Sequence, residues 1–206
     1  ISQLIISRNY DNSEIYSIQN NQKLTNIFNN DIDYKKASIL LLNSIKNNEN
    51  ICILGDYDVD GICATSLLVR YFNHINQKHF FYIPDRVKDG YGASKKLFHE
   101  LILKKPKLVI MVDCGSTSNE AVDYLKQNNI RSIIIDHHEI NKPYPKSDVI
   151  INPKKELIKK ENSLLCATAL TYFFIEILVK KTKSNFKITN FLIYVLLATV
   201  CDVMPL

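Results

Sequence analysis

The chain of 206 residues is long for one domain and short for two, and its composition of 46% hydrophobic and 23% charged residues is ordinary for a globular protein. This composition excludes wholesale disorder, a collagen-like structure and a disulfide-dense mini-protein. The net charge of +5 depends on the stretch Asn141–Asn190, whose ten Lys and four acids give +6, and this stretch is either a solvated surface or a patch that contacts phosphate.

The cysteines form no CxxC pair, and most lie in apolar runs; they are Cys52, Cys63, Cys114, Cys166 and Cys201. An odd number of such cysteines indicates reduced, buried thiols and no zinc site. The chain lacks a signal-peptide pattern, and its apolar runs are too short or too interrupted to span a bilayer. We therefore expect a cytoplasmic protein without a membrane partner. A chain that starts at Ile1 and ends at Leu206 further suggests a fragment of a longer protein.

The predicted elements alternate after a polar lead-in over residues 1–33. Asp33 is the expected N-cap of a first helix, in which the apolar positions are Ala37, Leu40, Leu41, Leu42 and Ile45. Short apolar strands are then predicted at Ile51–Gly55, Phe80–Ile83, Leu108–Val112, Ser132–Ile135 and Val149–Ile151. Helical patterns cover Ile62–Phe72, Ser94–Leu103, Ser118–Gln127, Leu164–Val179 and Asn190–Val200. The pattern predicts an α/β fold, a parallel β-sheet flanked by helices, with a helical C-terminal segment and one domain over residues 34–206.

Acids and imidazoles directly follow three of these strands and the last helix. They are Asp56, Asp58 and Asp60 after the first strand, Asp113 after the third, Asp136, His137 and His138 after the fourth, and Asp202 after the final helix. Ligands of an open parallel sheet gather beyond the carboxyl ends of its strands. These side chains are therefore expected to meet at one edge of the sheet.

Each group also has a purely structural interpretation. The acids of residues 56–60 form either a divalent-cation site or a solvated acidic turn; a calcium loop is excluded because its twelfth position is Leu67. Asp113 either binds a metal or caps the next helix, where Gly115 and Ser116 also offer N–H and hydroxyl donors to a phosphate. The adjacent histidines favour a metal site over a structural role, with the neighbouring carboxylate fixing the tautomer. Asp202, taken alone, is equally typical of a solvated helix end.

Taken together, carboxylates and imidazoles suit Mn²⁺ or Mg²⁺ better than zinc, which would draw thiolates. So many acids favour two ions that share a bridging carboxylate, about 3.5–4 Å apart, and activate water for attack on phosphorus. The expected chemistry is hydrolysis of a phosphoester or phosphoanhydride.

The motifs resemble those of the DHH phosphoesterases and, within them, of the RecJ-like exonucleases specific for single-stranded DNA. The resemblance rests on the runs GDYDVDG at 55–61, PDR at 84–86, DGYG at 89–92, VDCG at 112–115, DHH at 136–138 and CDVMPL at 201–206. These motifs occur in the family's order and span about three quarters of the chain. The DGYG and DVMPL segments are more specific to RecJ-like proteins than the DHH triplet is.

The resemblance implies metal-dependent 5′→3′ hydrolysis of single-stranded DNA in repair and recombination. The positions that match metal ligands are Asp58, Asp60, Asp113, His137 and Asp202, with Asp56 as an adjacent candidate. Asp113 matches the bridging ligand, and His138 matches a position that faces the scissile phosphate. Arg86 is a further candidate for a phosphate contact, beside Ser116.

RecJ-like proteins continue into a basic substrate-binding domain and an OB-like domain, and both are absent from this sequence. Tyr91, Tyr144 and the Lys154–Lys160 cluster are candidates for single-strand contacts in their place. Two other functions stay open. One is a DHH enzyme that acts on small substrates such as short oligonucleotides, a nucleoside bisphosphate or pyrophosphate, against which the DGYG and DVMPL segments argue. The other is a catalytically weak fragment or scaffold, a branch marked by lost metal ligands.

Overall fold

The computed structural model describes residues 11–12, 15–16, 25–90, 92–155 and 164–204. Most of the predicted lead-in lies outside these residues, as do Tyr91 and residues 156–160 of the lysine cluster. None of the helices in the described ranges combines the length and apolarity needed to span a bilayer.

The elements follow the predicted alternation. The helices are α1 (Ile32–Lys46), α2 (Val59–His74), α3 (Lys95–Leu101), α4 (Asn119–Gln127), α5 (Ala167–Thr182) and α6 (Leu192–Cys201). The strands are β1 (Ile51–Leu54), β2 (His79–Tyr82), β3 (Leu108–Val112), β4 (Arg131–Ile135) and β5 (Val149–Ile151). Short 3₁₀ turns extend α3 at Ile102–Lys104 and precede α6 at Ile188–Phe191.

Among the described residues, five strands form one parallel sheet in the order β2-β1-β3-β4-β5. The predicted α/β fold with a parallel sheet is therefore confirmed. The chain moves from β1 to one side and then crosses back to β3 on the other side. The carboxyl ends of β1 and β3 form the switch point at which ligands bind in open α/β sheets.

The register of the sheet puts four polar residues in one row. Leu54 pairs with Met111, Met111 with Ile134, and Ile134 with Ile150. Two residues after these partners come, in strand order, Asp56, Asp113, Asp136 and Asn152. Because parallel strands in register end together, the backbone pairing brings these side chains to the same edge.

Both faces of the sheet are covered, as near-continuous apolar strands require. Leu108, Ile110 and Val112 of β3 pack into the core formed with α1, α2 and α5. Val109 and Met111 point to the other face, where α3 and α4 cover the sheet. This double burial explains why β3 reads as an unbroken apolar run.

The first helix begins earlier than predicted, and the assignment of Asp33 as its N-cap is wrong. The Asp31 side chain caps α1 by accepting hydrogen bonds from the N–H groups of Asp33 and Tyr34 at 2.8 and 3.0 Å. The Asp33 carboxylate instead pairs with Lys155, 2.8 Å from its Nζ. Two acids two positions apart offer equivalent caps in sequence, and in the structure one caps the helix while the other pairs with a distant lysine.

The expectation of buried thiols is correct for Cys52, Cys63, Cys114 and Cys166. Cys201, the last residue of α6, is exposed. The apolar run that contains it lies on a helix with one face open to solvent, so an apolar neighbourhood in sequence did not bury this thiol.

Gly61 lets the first turn of α2 pass over the loop that carries the acids. A Cβ atom at this position would lie 2.5 Å from the backbone nitrogen and oxygen of Asp56. We expect Gly61→Ala to lower the free energy of unfolding by about 1–3 kcal/mol, because the loop must shift to admit the methyl group. Urea denaturation measures this change, with Ser66→Ala on the same helix as the control. Equal stabilities of the two variants would contradict the close approach.

Candidate metal centre

The structure brings all six predicted metal ligands to one edge of the sheet, together with His138. Three groups each offer ligand atoms within 4.8 Å of one another. They are Asp113, His137 and His138; Asp60, His137 and Asp202; and Asp56, Asp58 and Asp113. Because Asp113 and His137 each belong to two groups, the three form one continuous cluster.

His137 lies at the centre of this cluster and is only 6% exposed. Its Nε2 is 3.3 Å from Asp113 Oδ1, 3.4 Å from Asp202 Oδ2 and 3.7 Å from Asp60 Oδ2. Neither ring nitrogen has a hydrogen-bond partner within the described part of the chain. Buried polar atoms without partners are costly, and a cation among them removes that cost. The donor set therefore fits a divalent metal ion.

Asp113 is aimed into the cluster by an unusual backbone conformation. Its φ of +60° lies in the left-handed region, which few non-glycine residues adopt and in which Asp and Asn are the best tolerated of them. Neither carboxylate oxygen has a hydrogen-bond partner among the described residues. Burial, reinforced by the neighbouring carboxylates, raises the pKa of Asp113 to about 11. The alternative that Asp113 caps α4 is excluded, because the N-cap of that helix is Ser118.

Asp60 links the cluster to the start of α5. Its Oδ1 accepts the N–H of Thr168 and its Oδ2 accepts the N–H of Ala167, both at 2.7 Å. The hydroxyl of Thr168 also donates to the Asp60 carbonyl oxygen at 2.9 Å. A helix N-terminus stabilises negative charge, so α5 supports the carboxylate from behind. Sequence reasoning missed this contact because its donors are backbone groups more than 100 positions away.

Asp136, the first residue of the DHH triplet, orients His138. Its Oδ1 accepts from the Nδ1 of His138 at 2.7 Å, and its Oδ2 accepts the N–H of Ser116 at 3.0 Å. Burial opposes ionisation of Asp136, but the hydrogen bonds and charge of His138 outweigh it and lower the pKa of Asp136 to about 2. The same contact raises the pKa of His138. Nδ1 of His138 therefore faces Asp136, and the control of the tautomer by this carboxylate stays a prediction.

Asn152 is a residue that sequence reasoning missed. Its Nδ2 donates to Ser116 Oγ at 2.8 Å and to the His138 carbonyl oxygen at 2.9 Å. A polar residue after a predicted strand, in the same row as the acids, was the available signal. Ser116 itself is 2% exposed, and its N–H and hydroxyl both take part in these internal contacts. The structure therefore places Ser116 behind His138, and its contact with phosphate stays a prediction.

The loop after β1 completes the site. Asp56 is buried, which raises the pKa of its carboxyl group. Asp58 caps α2 by accepting the Gly61 N–H at 3.0 Å. The guanidinium of Arg86 lies over the ring of Tyr57, 5.6 Å from its centroid. Arg86 thus contacts, from a separate loop, the segment that carries Asp56 and Asp58.

The described part of the lysine cluster is engaged within the protein. Lys154 pairs with Glu139 at 3.0 Å, and Lys155 pairs with Asp33. The hydroxyl of Tyr144 donates to the Lys155 carbonyl oxygen at 2.6 Å. The role of this cluster in single-strand binding stays a prediction.

The fold and this cluster define a parallel α/β domain with a candidate metal centre beyond the carboxyl ends of its strands. The sequence profile described as DHH family, N-terminal domain, matches residues 50–199. The chain belongs to the DHH family.

Within the family, the chain is similar to RecJ proteins. It is 30% identical over 183 residues to the single-stranded-DNA-specific exonuclease RecJ of Haemophilus influenzae, a match that covers 84% of this chain and 32% of that protein. It is 34% identical over 121 residues to RecJ of Bacillus subtilis, covering 59% of this chain and 15% of that protein. The crystal structure of exonuclease RecJ bound to manganese matches with a TM-score of 0.76 and 25% identity, covering 84% of this chain and 44% of that one. The chain thus spans a third or less of the length of the Haemophilus influenzae and Bacillus subtilis relatives.

The raised pKa of Asp113 predicts that metal binding releases a proton. With a pKa of about 11, the carboxyl of Asp113 holds a proton at neutral pH in the metal-free chain. A carboxyl group must lose its proton before it binds a metal ion. We therefore expect Mn²⁺ affinity to rise with pH and about one proton to be released per chain at pH 7. Calorimetric titrations with Mn²⁺ in two buffers of different ionisation enthalpy measure this number.

Asp113→Asn should bind Mn²⁺ more weakly and release no such proton, while Asn tolerates the positive φ. Asp123→Asn, on α4 outside the cluster, is the matched control. A binding enthalpy independent of the buffer in the natural chain would contradict the prediction.

Proposed function

We propose that this chain carries the catalytic centre of a Mn²⁺- or Mg²⁺-dependent exonuclease that digests single-stranded DNA from the 5′ end. The observation that carries the proposal is the cluster around Asp113 and His137. The buried carboxylate oxygens of Asp113 and the ring nitrogens of His137 have no hydrogen-bond partner among the described residues. Two similar proteins, described above, are named single-stranded-DNA-specific exonucleases, and the similar crystal structure is of a RecJ bound to manganese. Both facts support the proposal. The direction of digestion and a role in DNA repair and recombination rest on the family resemblance.

Six residues would hold two ions: Asp56, Asp58, Asp60, Asp113, His137 and Asp202. When bound, such ions activate a water molecule and neutralise the charge that develops on the phosphate. Asp113 and His137 each belong to two of the three groups, and Asp113 is assigned as the shared ligand because a carboxylate offers two oxygens to two ions. The N–H groups of α5 hold Asp60 in place, so this ligand needs little rearrangement.

His138 acts on the substrate rather than on the metal in this proposal. Its Nδ1 is bound to Asp136, and its raised pKa favours the protonated ring. A protonated imidazole whose Nδ1 is held by Asp136 would use its second N–H to donate a hydrogen bond to a phosphate oxygen or a proton to the leaving oxygen. Arg86, whose guanidinium lies over the ring of Tyr57, offers a planar donor pair that suits phosphate.

The nuclease assignment predicts metal-dependent release of nucleotides from one end of a single strand. We expect the chain to shorten single-stranded oligonucleotides with Mn²⁺ and to leave them intact with EDTA. Digestion from the 5′ end releases a 5′ label at once as a short product, whereas a 3′ label stays on progressively shorter strands. A dinucleotide substrate tests the alternative small-substrate function. Asp113→Asn is the control for contaminating nuclease. Hydrolysis of the dinucleotide alone would contradict the single-strand proposal, and digestion from the 3′ end would contradict its direction.

The role of His138 predicts a separation between catalysis and metal binding. His138→Ala should lower kcat by about 10²-fold, because a positioned acid contributes roughly that much, while the Mn²⁺ affinity stays unchanged. Steady-state kinetics and Mn²⁺ calorimetry on the same preparation measure the two effects. His74→Ala is the matched histidine control. His74 is the last residue of α2, and its ring contacts Asn185. A loss of Mn²⁺ affinity in His138→Ala would make this residue a metal ligand.

A further inference from the structure

The loop after β2 is folded by its own acidic residues. Asp85 Oδ1 accepts the N–H groups of Val87 and Lys88 at 2.9 and 3.0 Å. The N–H of Asp89 donates to the Asp85 carbonyl oxygen at 2.9 Å. These bonds close a tight turn over residues 85–89, and Arg86 lies within it.

A single carboxylate oxygen fastens this turn to the sheet. Asp89 Oδ2 accepts the N–H of Asp85 at 2.9 Å and the hydroxyl of Tyr82 at 2.7 Å. Tyr82 is the last residue of β2, so its hydroxyl joins the turn to the sheet. Gly90 follows with a φ of +77°, a conformation that lets the chain leave the turn at once. The D-G pair of the DGYG segment thus has a structural purpose.

Arg86 connects this turn to the loop after β1. Its guanidinium lies over the ring of Tyr57, a residue that stands between the two candidate ligands Asp56 and Asp58 in the chain. The side chain of Arg86 is exposed, and an unrestrained arginine on a loop would lose much conformational freedom on binding a phosphate. A turn closed by its own hydrogen bonds and joined to β2 through Tyr82 removes part of that cost before the substrate arrives.

We propose that Tyr82 and Asp89 are positioning residues that hold Arg86 over Tyr57 for contact with the substrate phosphate. The contact of Arg86 with phosphate rests on the proposed function. The positioning of Arg86 by Tyr82 and Asp89 is independent of that function. Neither residue is suited to bind phosphate itself, since Asp89 is an anion and the Tyr82 hydroxyl is directed at Asp89. Their effect on the substrate passes through Arg86.

The first test measures the position of Arg86 without any substrate. The chain contains no Trp, so Tyr57→Trp introduces a unique indole fluorophore beneath the guanidinium. In this background, Arg86→Ala should change the indole emission, and Tyr82→Phe and Asp89→Ala should reproduce that change. Asp89→Asn, which keeps an oxygen acceptor, should restore the parent emission. Tyr124→Phe removes a surface hydroxyl that contacts His99 and is the matched control.

Two fluorescence results would overturn the proposal. If Arg86→Ala leaves the indole emission unchanged, Arg86 does not lie over position 57. If Arg86→Ala changes the emission but Tyr82→Phe and Asp89→Ala do not, the two residues do not hold Arg86. Thermal unfolding of each variant separates a local movement from a loss of the fold.

The second test is a double-mutant cycle on DNA binding with the natural Tyr57, using a fluorescent single-stranded oligonucleotide and Ca²⁺ in place of Mn²⁺. Tyr82→Phe and Asp89→Ala should each raise the Kd by about three- to tenfold, the effect of one hydrogen bond. Neither should have a further effect in the Arg86→Ala background. Equal effects in both backgrounds would overturn the proposal. If no variant binds DNA while the indole emission still responds as expected, the proposed function fails and the hold on Arg86 stands.

Discussion

The crowding of carboxylates at one buried edge of the sheet is the constraint on which the rest of this structure depends. The parallel register delivers Asp56, Asp113 and Asp136 in a row, and unpaired anions at such short range would repel strongly. The protein resolves this differently at each position. Asp136 is stabilised by hydrogen bonds from His138 and Ser116, whereas the carboxylate of Asp113 has no hydrogen-bond partner among the described residues. The contrast separates the acid that builds the site from the acid that is suited to bind a cation.

The supports of the site come from elements that carry none of its chemistry. The N-terminus of α5 holds Asp60, and Asn152 at the end of β5 ties the backbone of His138 to Ser116. A ligand or an acid held by such contacts is oriented before its substrate or metal arrives, which lowers the reorganisation needed for binding and catalysis. In the same way, the hydrogen bond between Tyr82 and Asp89 orients the turn that carries Arg86.

Much of the fold was predictable because its physical signals are local. The apolar run Leu108–Val112 is buried on both faces, and the acids and imidazoles that follow the strands meet where parallel strands end together. What could not be predicted depends on contacts between distant parts of the chain. Asp31 caps α1 while Asp33 pairs with the distant Lys155, and the α5 contacts of Asp60 use backbone donors that leave no mark in the side-chain sequence. Asn152 had a signal, its place at a strand end, but it carries neither charge nor imidazole.

The position of Asp202 has a consequence for the way the protein is made. This acid caps the C-terminal end of α6, which packs against α2. The packing of α6 brings Asp202 Oδ2 to 3.4 Å from Nε2 of His137. During synthesis the sheet and its other acids emerge first, and α6 is among the last parts of this sequence to emerge. A nascent chain therefore lacks the complete ligand set until α6 has docked on α2. The order of translation delays assembly of the full centre until the fold around it is in place.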